Sequence, residues 1–240
     1  MVEALIFAMV GLAAGIVVNI LADRLPADLG LAGGPVCPAC HRNLPVSRVS
    51  GLWRELSRAR ACPGCHTRLP IRHAIVEVSM AVLFAFLWQR YGLSSELALD
   101  ALFLIILALI FIVDLEHRLV LNTVVLPAAG LAVLTSPIGP GLVSALIGGA
   151  VGFALLYACF FVYPKGLGAG DVKLAGFIGL MLGWPVVLPG LFLGFALAAA
   201  VSIGLLLTGR ASMKTYIPYA PFLVVGAFLA LLFLMNNFAI

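Results

Sequence analysis

Eight stretches of this chain are apolar over 15 to 23 residues, and they constrain its fold more than any other feature. They fall at 4–22, 74–91, 98–114, 119–136, 141–163, 172–186, 187–208 and 217–238. A hydrocarbon layer about 30 Å thick takes about 20 helical residues to cross. Inside lipid every backbone N–H and C=O must be satisfied within the protein, which leaves helices or a closed barrel. Runs this long and this uniformly apolar read as helices. Residues 172–208 are too many for one crossing, and Gly183-Trp184-Pro185 divides them into two. Composition agrees: 63% of the residues are hydrophobic, 10% are charged and mean hydropathy is +1.18. Soluble domains carry about 25% charged residues, so a water-soluble globule and a disordered chain are both excluded. The expected class is an all-α polytopic membrane protein of about eight helices.

Charge sets the expected orientation. Eight of the 14 basic residues lie between Arg24 and Arg72, and short loops rich in Lys and Arg stay in the cytoplasm. With both termini outside, the inner segments are 23–73, 115–118, 164–171 and 209–216; these also hold Arg118, Lys165, Arg210 and Lys214, whereas the outer loops offer only Arg90. Lys173 sits at the inner end of the sixth helix, where it can snorkel. The first run opens Met1-Val2-Glu3, with no basic leader region and no small-residue cleavage site before Asp23-Arg24, so it is expected to be a retained helix. The domains expected are 1–22, a first helix; 23–73, a cytoplasmic module; and 74–240, seven further helices. No internal repeat is visible. The basic loop reads as orientation and contact with membrane lipid headgroups, not nucleic-acid binding.

Within that loop Cys37, Cys40, Cys62 and Cys65 form two C-x2-C pairs separated by 21 residues. Two thiolates three positions apart on a tight turn hold two corners of a tetrahedron, and two such turns close a structural zinc site. A pair of disulfides is the alternative, disfavoured on a reducing cytoplasmic face. Four thiolates leave no open position for water, so the metal would staple a segment with little apolar core of its own. His41 and His66 read as surface residues, and Cys159, alone in an apolar run, as a small core residue.

Two of the ten acids lack an ordinary explanation at a loop position. Asp114 closes the apolar run 102–113, and Asp171 opens the next helix after Lys165-Gly166-Leu167-Gly168-Ala169-Gly170. Both are expected at the cytoplasmic end of a helix, at one depth, where a carboxylate is costly unless it faces a bundle interior or a wet cavity. Asp171 alone could be a helix N-cap, and Asp114 an interfacial residue beside Glu116, His117 and Arg118. As a pair they could share one proton and activate water against an amide. Gly166, Gly168 and Gly170 would let an extended substrate approach. Two aspartates could equally bind a cation, and a cation or proton transporter with a regulatory zinc module is the rival reading.

An ordered set of motifs resembles the type IV prepilin peptidases over nearly the whole chain. Gly15-Ile16-Val17-Val18-Asn19 with Arg24-Leu25-Pro26 is similar to the family's G-S-F-L-N and R-x-P opening. The four cysteines match its tetracysteine module, and the segment from Ile71 to Glu77 resembles the stretch that enters its second helix. Asp114-Leu115 and Gly168-Ala169-Gly170-Asp171-Val172-Lys173-Leu174 resemble its two aspartate motifs, and Ile217-Pro218-Tyr219-Ala220-Pro221-Phe222 the run at its last helix. Ile16, Leu121 and Ala220 depart from the family's usual Ser, Pro and Gly. The resemblance implies an aspartic endopeptidase of a prokaryotic inner or plasma membrane, with Asp114 and Asp171 as its dyad. Such an enzyme cuts a short basic leader from prepilins or pseudopilins of type IV pili and type II secretion, on the cytoplasmic side. It also implies, by resemblance alone, methyl transfer from S-adenosylmethionine to the new N-terminus.

Overall fold

The computed structural model describes residues 2–30, 33–37, 39–45, 48–58, 60–162, 168–209 and 218–233. Among them are nine α-helices: α1 (Val2–Arg24), α2 (Gly51–Leu56), α3 (Arg72–Tyr91), α4 (Ser95–His117), α5 (Asn122–Thr135), α6 (Leu142–Val162), α7 (Ala169–Leu182), α8 (Val187–Leu207) and α9 (Ala220–Phe233). Each of the eight apolar runs holds one, and the six-residue α2 is additional. Five helices are long and apolar enough to cross a bilayer: α1, extended by a 3-10 turn to Ala27, and α3, α4, α6 and α8. The other three, α5, α7 and α9, have 14 residues each, about 21 Å of helix at 1.5 Å per residue. They are shorter than a full crossing, and the expected continuation of the last run to 238 lies outside the described residues.

The chain divides into two compact units, Met1–Ile105 and Ile106–Ile240. In the first, α1 lies along α3. Gly11 and Gly15 make this possible: a methyl at Gly15 would sit 2.7 Å from the Glu77 Cα, and one at Gly11 2.7 Å from the Phe84 Cβ. Phe7 stacks on Trp88 with ring centroids 4.2 Å apart. At the other end of the pair the contacts are polar. Asn19 donates to the His73 carbonyl at 3.0 Å, and Asp23 pairs with Arg72 and with His73 Nε2. Glu77, fully buried, accepts from Ser50 Oγ at 2.6 Å, the Gly51 N–H at 2.7 Å and the Leu52 N–H at 3.0 Å. Its carboxylate thereby takes donors that the first turn of α2 leaves without intrahelical partners, and ties that helix to α3. Arg24 closes α1 by donating to the carbonyls of Leu29, Gly30 and Gly34. The family-like residues Asn19, Arg24, Arg72 and Glu77 are therefore framework residues of this unit.

In the second unit α7 is the central helix, packed against α5, α6, α8 and α9. Its contact with α6 is made through glycines. A methyl at Gly179 would overlap the Gly148 carbonyl, and one at Gly148 would lie 2.7 Å from the Gly183 carbonyl carbon. The expected break falls where Gly183 takes φ +71° and Trp184–Pro185 is cis. Ser144 secures it, accepting the Trp184 N–H at 3.0 Å and donating to the Trp184 carbonyl at 2.8 Å. Cys159 is exposed on α6 and is not a core residue; the α6 positions that turn inward are Ala145, Gly148, Gly149, Gly152 and Leu156.

Candidate active site

Asp114 and Asp171 both belong to the second unit. Asp114 lies in the last turn of α4, whose end is closed by the Arg118 N–H bonding the Asp114 carbonyl at 2.9 Å, with Arg118 at φ +54°. Asp171 lies in the first turn of α7. It is not the N-cap: Gly168 takes that place in extended backbone, and Asp171, at the third helical position, reaches back so that its Oδ2 accepts the Gly168 N–H at 3.1 Å. Both side chains are 5% exposed, and the structure brings them within Coulombic reach of each other, with Arg118 also in range of Asp114. Asp114 Oδ2 is buried without a hydrogen-bond partner among the described residues. A buried carboxylate oxygen in that state carries a desolvation cost until a donor such as water meets it.

The three glycines differ. Gly166 lies outside the described residues. The space beside Gly170 is held by the protein itself, since a methyl there would sit 2.8 Å from Val120 Cβ. A methyl at Gly168 would stand 3.3 Å from Asp171 Oδ2, so the glycine keeps the backbone beside the carboxylate uncrowded. Lys173 carries a contact that sequence reasoning missed: its Nζ donates to Asn122 Oδ1 at 2.9 Å. With the Gly170–Val120 contact, this ties the start of α7 to the segment after α4 and to the start of α5. The signal available was the polar break at Asn122 that precedes α5, together with the Lys two places beyond Asp171.

The four cysteines are brought together and free. Their Sγ atoms lie within 4.8 Å of one another, with Cys37–Cys65 at 3.7 Å and Cys40–Cys62 at 3.9 Å. A tetrahedral site with metal–sulfur bonds of about 2.3 Å has edges of about 3.8 Å, so the donor set fits zinc. The two halves are a repeat, contrary to the expectation that the chain has none. Cys37 N–H bonds the Arg42 carbonyl, His41 the Cys37 carbonyl and Leu44 the Pro35 carbonyl; Cys62, His66 and Leu69 bond Thr67, Cys62 and Arg60 in the same way. His41 and His66 occupy equivalent positive-φ corners, at +52° and +57°, and both are exposed. Burial pushes the Cys37 thiol up to about 11, whereas the Thr67 hydroxyl, 3.2 Å from Cys65 Sγ, and the Thr67 backbone bring Cys65 down to about 6.

Two family models match the chain: the type IV leader peptidase family over residues 101–205 and the bacterial peptidase A24 N-terminal domain over residues 9–91. Between them they cover more than three quarters of it. Similar curated proteins bear the name prepilin leader peptidase/N-methyltransferase. The one from Bacillus subtilis is 29% identical over 214 residues, 88% of this chain and 86% of the relative. That from Myxococcus xanthus is 31% identical, over 85% of this chain and 64% of the relative. That from Pseudomonas putida is 32% identical, over 68% and 59%. No solved structure matches the chain.

Proposed function

The chain belongs to the type IV leader peptidase family, and from that premise we propose that it is a membrane aspartic endopeptidase that removes the leader from prepilins or pseudopilins. The reading is supported by two buried carboxylates of one compact unit, Asp114 in the last turn of α4 and Asp171 in the first turn of α7, within Coulombic reach of each other. Two carboxyls brought to one reacting carbonyl share a proton more readily than they both ionise. One takes a proton from water as it attacks the scissile carbonyl while the other donates its proton to the carbonyl oxygen; the first then passes the proton it took to the leaving amine as the second recovers one from the gem-diol, with no acyl-enzyme. Asp114 Oδ2, with no protein partner among the described residues, is positioned to hold that water, and the bare backbone at Gly168 lets the scissile segment reach Asp171. The proposal includes eight helices embedded in the inner or plasma membrane of a prokaryote, both termini outside, with the dyad opening toward the cytoplasm. The family match gives no support to the transporter alternative.

Zinc is assigned to Cys37, Cys40, Cys62 and Cys65, where it would supply cross-linking and no chemistry on the substrate. Methylation of the new N-terminus is part of the proposal on the relatives' name alone. Around the tetracysteine segment Glu77 is taken by three protein donors, whereas Asp23, ion-paired with Arg72 and His73, keeps Oδ2 without a hydrogen-bond partner among the described residues. Purified protein in liposomes with a prepilin should release the leader. D114N or D171N should each lower turnover by about 10²- to 10⁴-fold, and retained turnover in either variant removes the dyad assignment. Adding S-adenosylmethionine to the same reaction and weighing the mature chain tests the methylation.

A further inference from the structure

The lysine of the Gly168–Leu174 motif points away from the dyad. Asp171 and Lys173 are two residues apart, about 200° around an α-helix. Asp171, Leu174, Ala175 and Ile178 are buried, whereas Lys173, Gly176 and Leu180 are partly exposed. That strip is where the central helix reaches the surface between α5 and α6. The slot it floors has a volume of about 250 Å³ and is otherwise apolar, walled by Val125, Leu126 and Ala129 of α5 and Phe153 of α6, with Phe177 on its floor. Leu126 and Phe153 are 58% and 44% exposed, so the slot is open along its side.

We propose that this slot is a binding site for one anionic phospholipid, its acyl chain against the α5–α6–α7 walls and its phosphate on Lys173. Three observations favour that occupant. Lys173 is held at the head of the slot by the neutral Asn122 amide at 2.9 Å and has no acidic partner among the described residues. From Lys173 to Leu180 the slot runs about 10 Å at 1.5 Å per residue, within the depth of one leaflet of a bilayer about 30 Å thick. The cation stands at one end and apolar side chains occupy the remainder, the order in which a phospholipid presents phosphate and hydrocarbon. A choline or ethanolamine headgroup brings its own cation, whereas phosphatidylglycerol leaves its phosphate charge to the lysine. A peptide being cleaved needs the opposite face of α7.

Native mass spectrometry of the full chain in mild detergent, titrated with phosphatidylglycerol or phosphatidylcholine, tests this. Phosphatidylglycerol should bind more tightly. K173M should weaken its binding about fivefold while leaving phosphatidylcholine unchanged, and K173R should stay close to the unaltered protein. A129F, which fills the slot without touching the lysine, should weaken both lipids; should A129F not elute as folded protein, L126W at the rim replaces it. Inorganic phosphate should not compete, which separates a lipid site from a free-phosphate site. Equal phosphatidylglycerol binding by K173M and the unaltered protein, unchanged lipid binding when the slot is filled, or displacement by inorganic phosphate would each overturn the proposal.

Discussion

The tetracysteine module and the α6–α7 pair solve the same problem, holding two chain segments in close register, by opposite means. In the module the buried apolar cluster is Cys37, Leu44, Cys62 and Leu69, too small to offset the entropy of ordering the loop by burial alone. Four sulfurs at tetrahedral spacing offer the cross-link that a bound zinc would complete. Between α6 and α7 there is no cross-link among the described residues, and Gly148, Gly152 and Gly179 let one backbone lie on another. In lipid the tails are as apolar as leucine, so close van der Waals packing has to do what hydrophobic burial does in water. With zinc bound, one region would depend on bonds from outside the chain and tolerate small errors of packing; the other depends on shape and tolerates none.

The largest expected effect comes from removing the metal. Zinc binding in isolated zinc modules is on the order of 10 kcal/mol, so chelation, or Cys62→Ser, should unfold residues 35–69. Trypsin should then cut at Arg42, Arg58 and Arg68 while the far-ultraviolet helical signal stays nearly constant. Equal protease resistance with and without metal would break the comparison. Next comes Gly179→Leu, where the added side chain meets the Gly148 carbonyl; a cost of at least about 3 kcal/mol is expected, read as a lowered melting temperature. Gly130→Leu is the control, because nothing lies within 4 Å of a methyl there. If both glycine variants melt alike, close packing is not what holds α6 to α7.

How much of this was legible in the sequence follows from the same contrast. The eight helices were, because each run had to satisfy its own backbone in an apolar medium, a local requirement. The gathering of the four cysteines was, because C-x2-C on a turn brings two sulfurs to one side and two such turns can face each other. The knuckle repeat was also present, as Cys37-Pro38-Ala39-Cys40-His41 and Cys62-Pro63-Gly64-Cys65-His66, but five residues of likeness inside a loop make a weak signal of internal repetition. The position of Asp171 within α7 was displaced, since Gly168, which has no side chain to cap with, starts the helix and the carboxylate caps from inside. Cys159 was misplaced because in a membrane an apolar neighbourhood does not distinguish the core from the lipid face. The Glu77 clamp and the Lys173–Asn122 bond join residues 25 to 51 positions apart, and no local pattern reports such pairs.

Glu77→Gln sharpens the first unit's half of the comparison. An amide in place of the carboxylate turns one acceptor into a donor facing the Ser50, Gly51 or Leu52 donors, at a cost of about 2 kcal/mol. Faster amide exchange at Gly51 and Leu52 would show α2 loosened from α3 with zinc still bound. Unchanged exchange would mean that the metal alone positions the segment.

The smallest effect on stability, and the most informative about the candidate site, is expected from Asn122→Ala. Its bond to Lys173 is solvent-exposed, so breaking it should cost about 1 kcal/mol or less. Yet Asn122 and Val120 are the points at which the segment following Asp114 is held to the helix that carries Asp171. A displacement of about 1 Å between two catalytic groups can cost about 10²-fold in rate, far more than the lost bond contributes to folding. Asn122→Ala should therefore lower kcat for prepilin cleavage by tenfold or more, in order of magnitude, with KM and melting temperature nearly unchanged. Asn122→Asp, which keeps an oxygen for Lys173, should restore most of the rate. A loss of rate that merely tracks the loss of folded protein would mean that the glycine packing of α7, and not this polar brace, sets the distance between the two carboxyls.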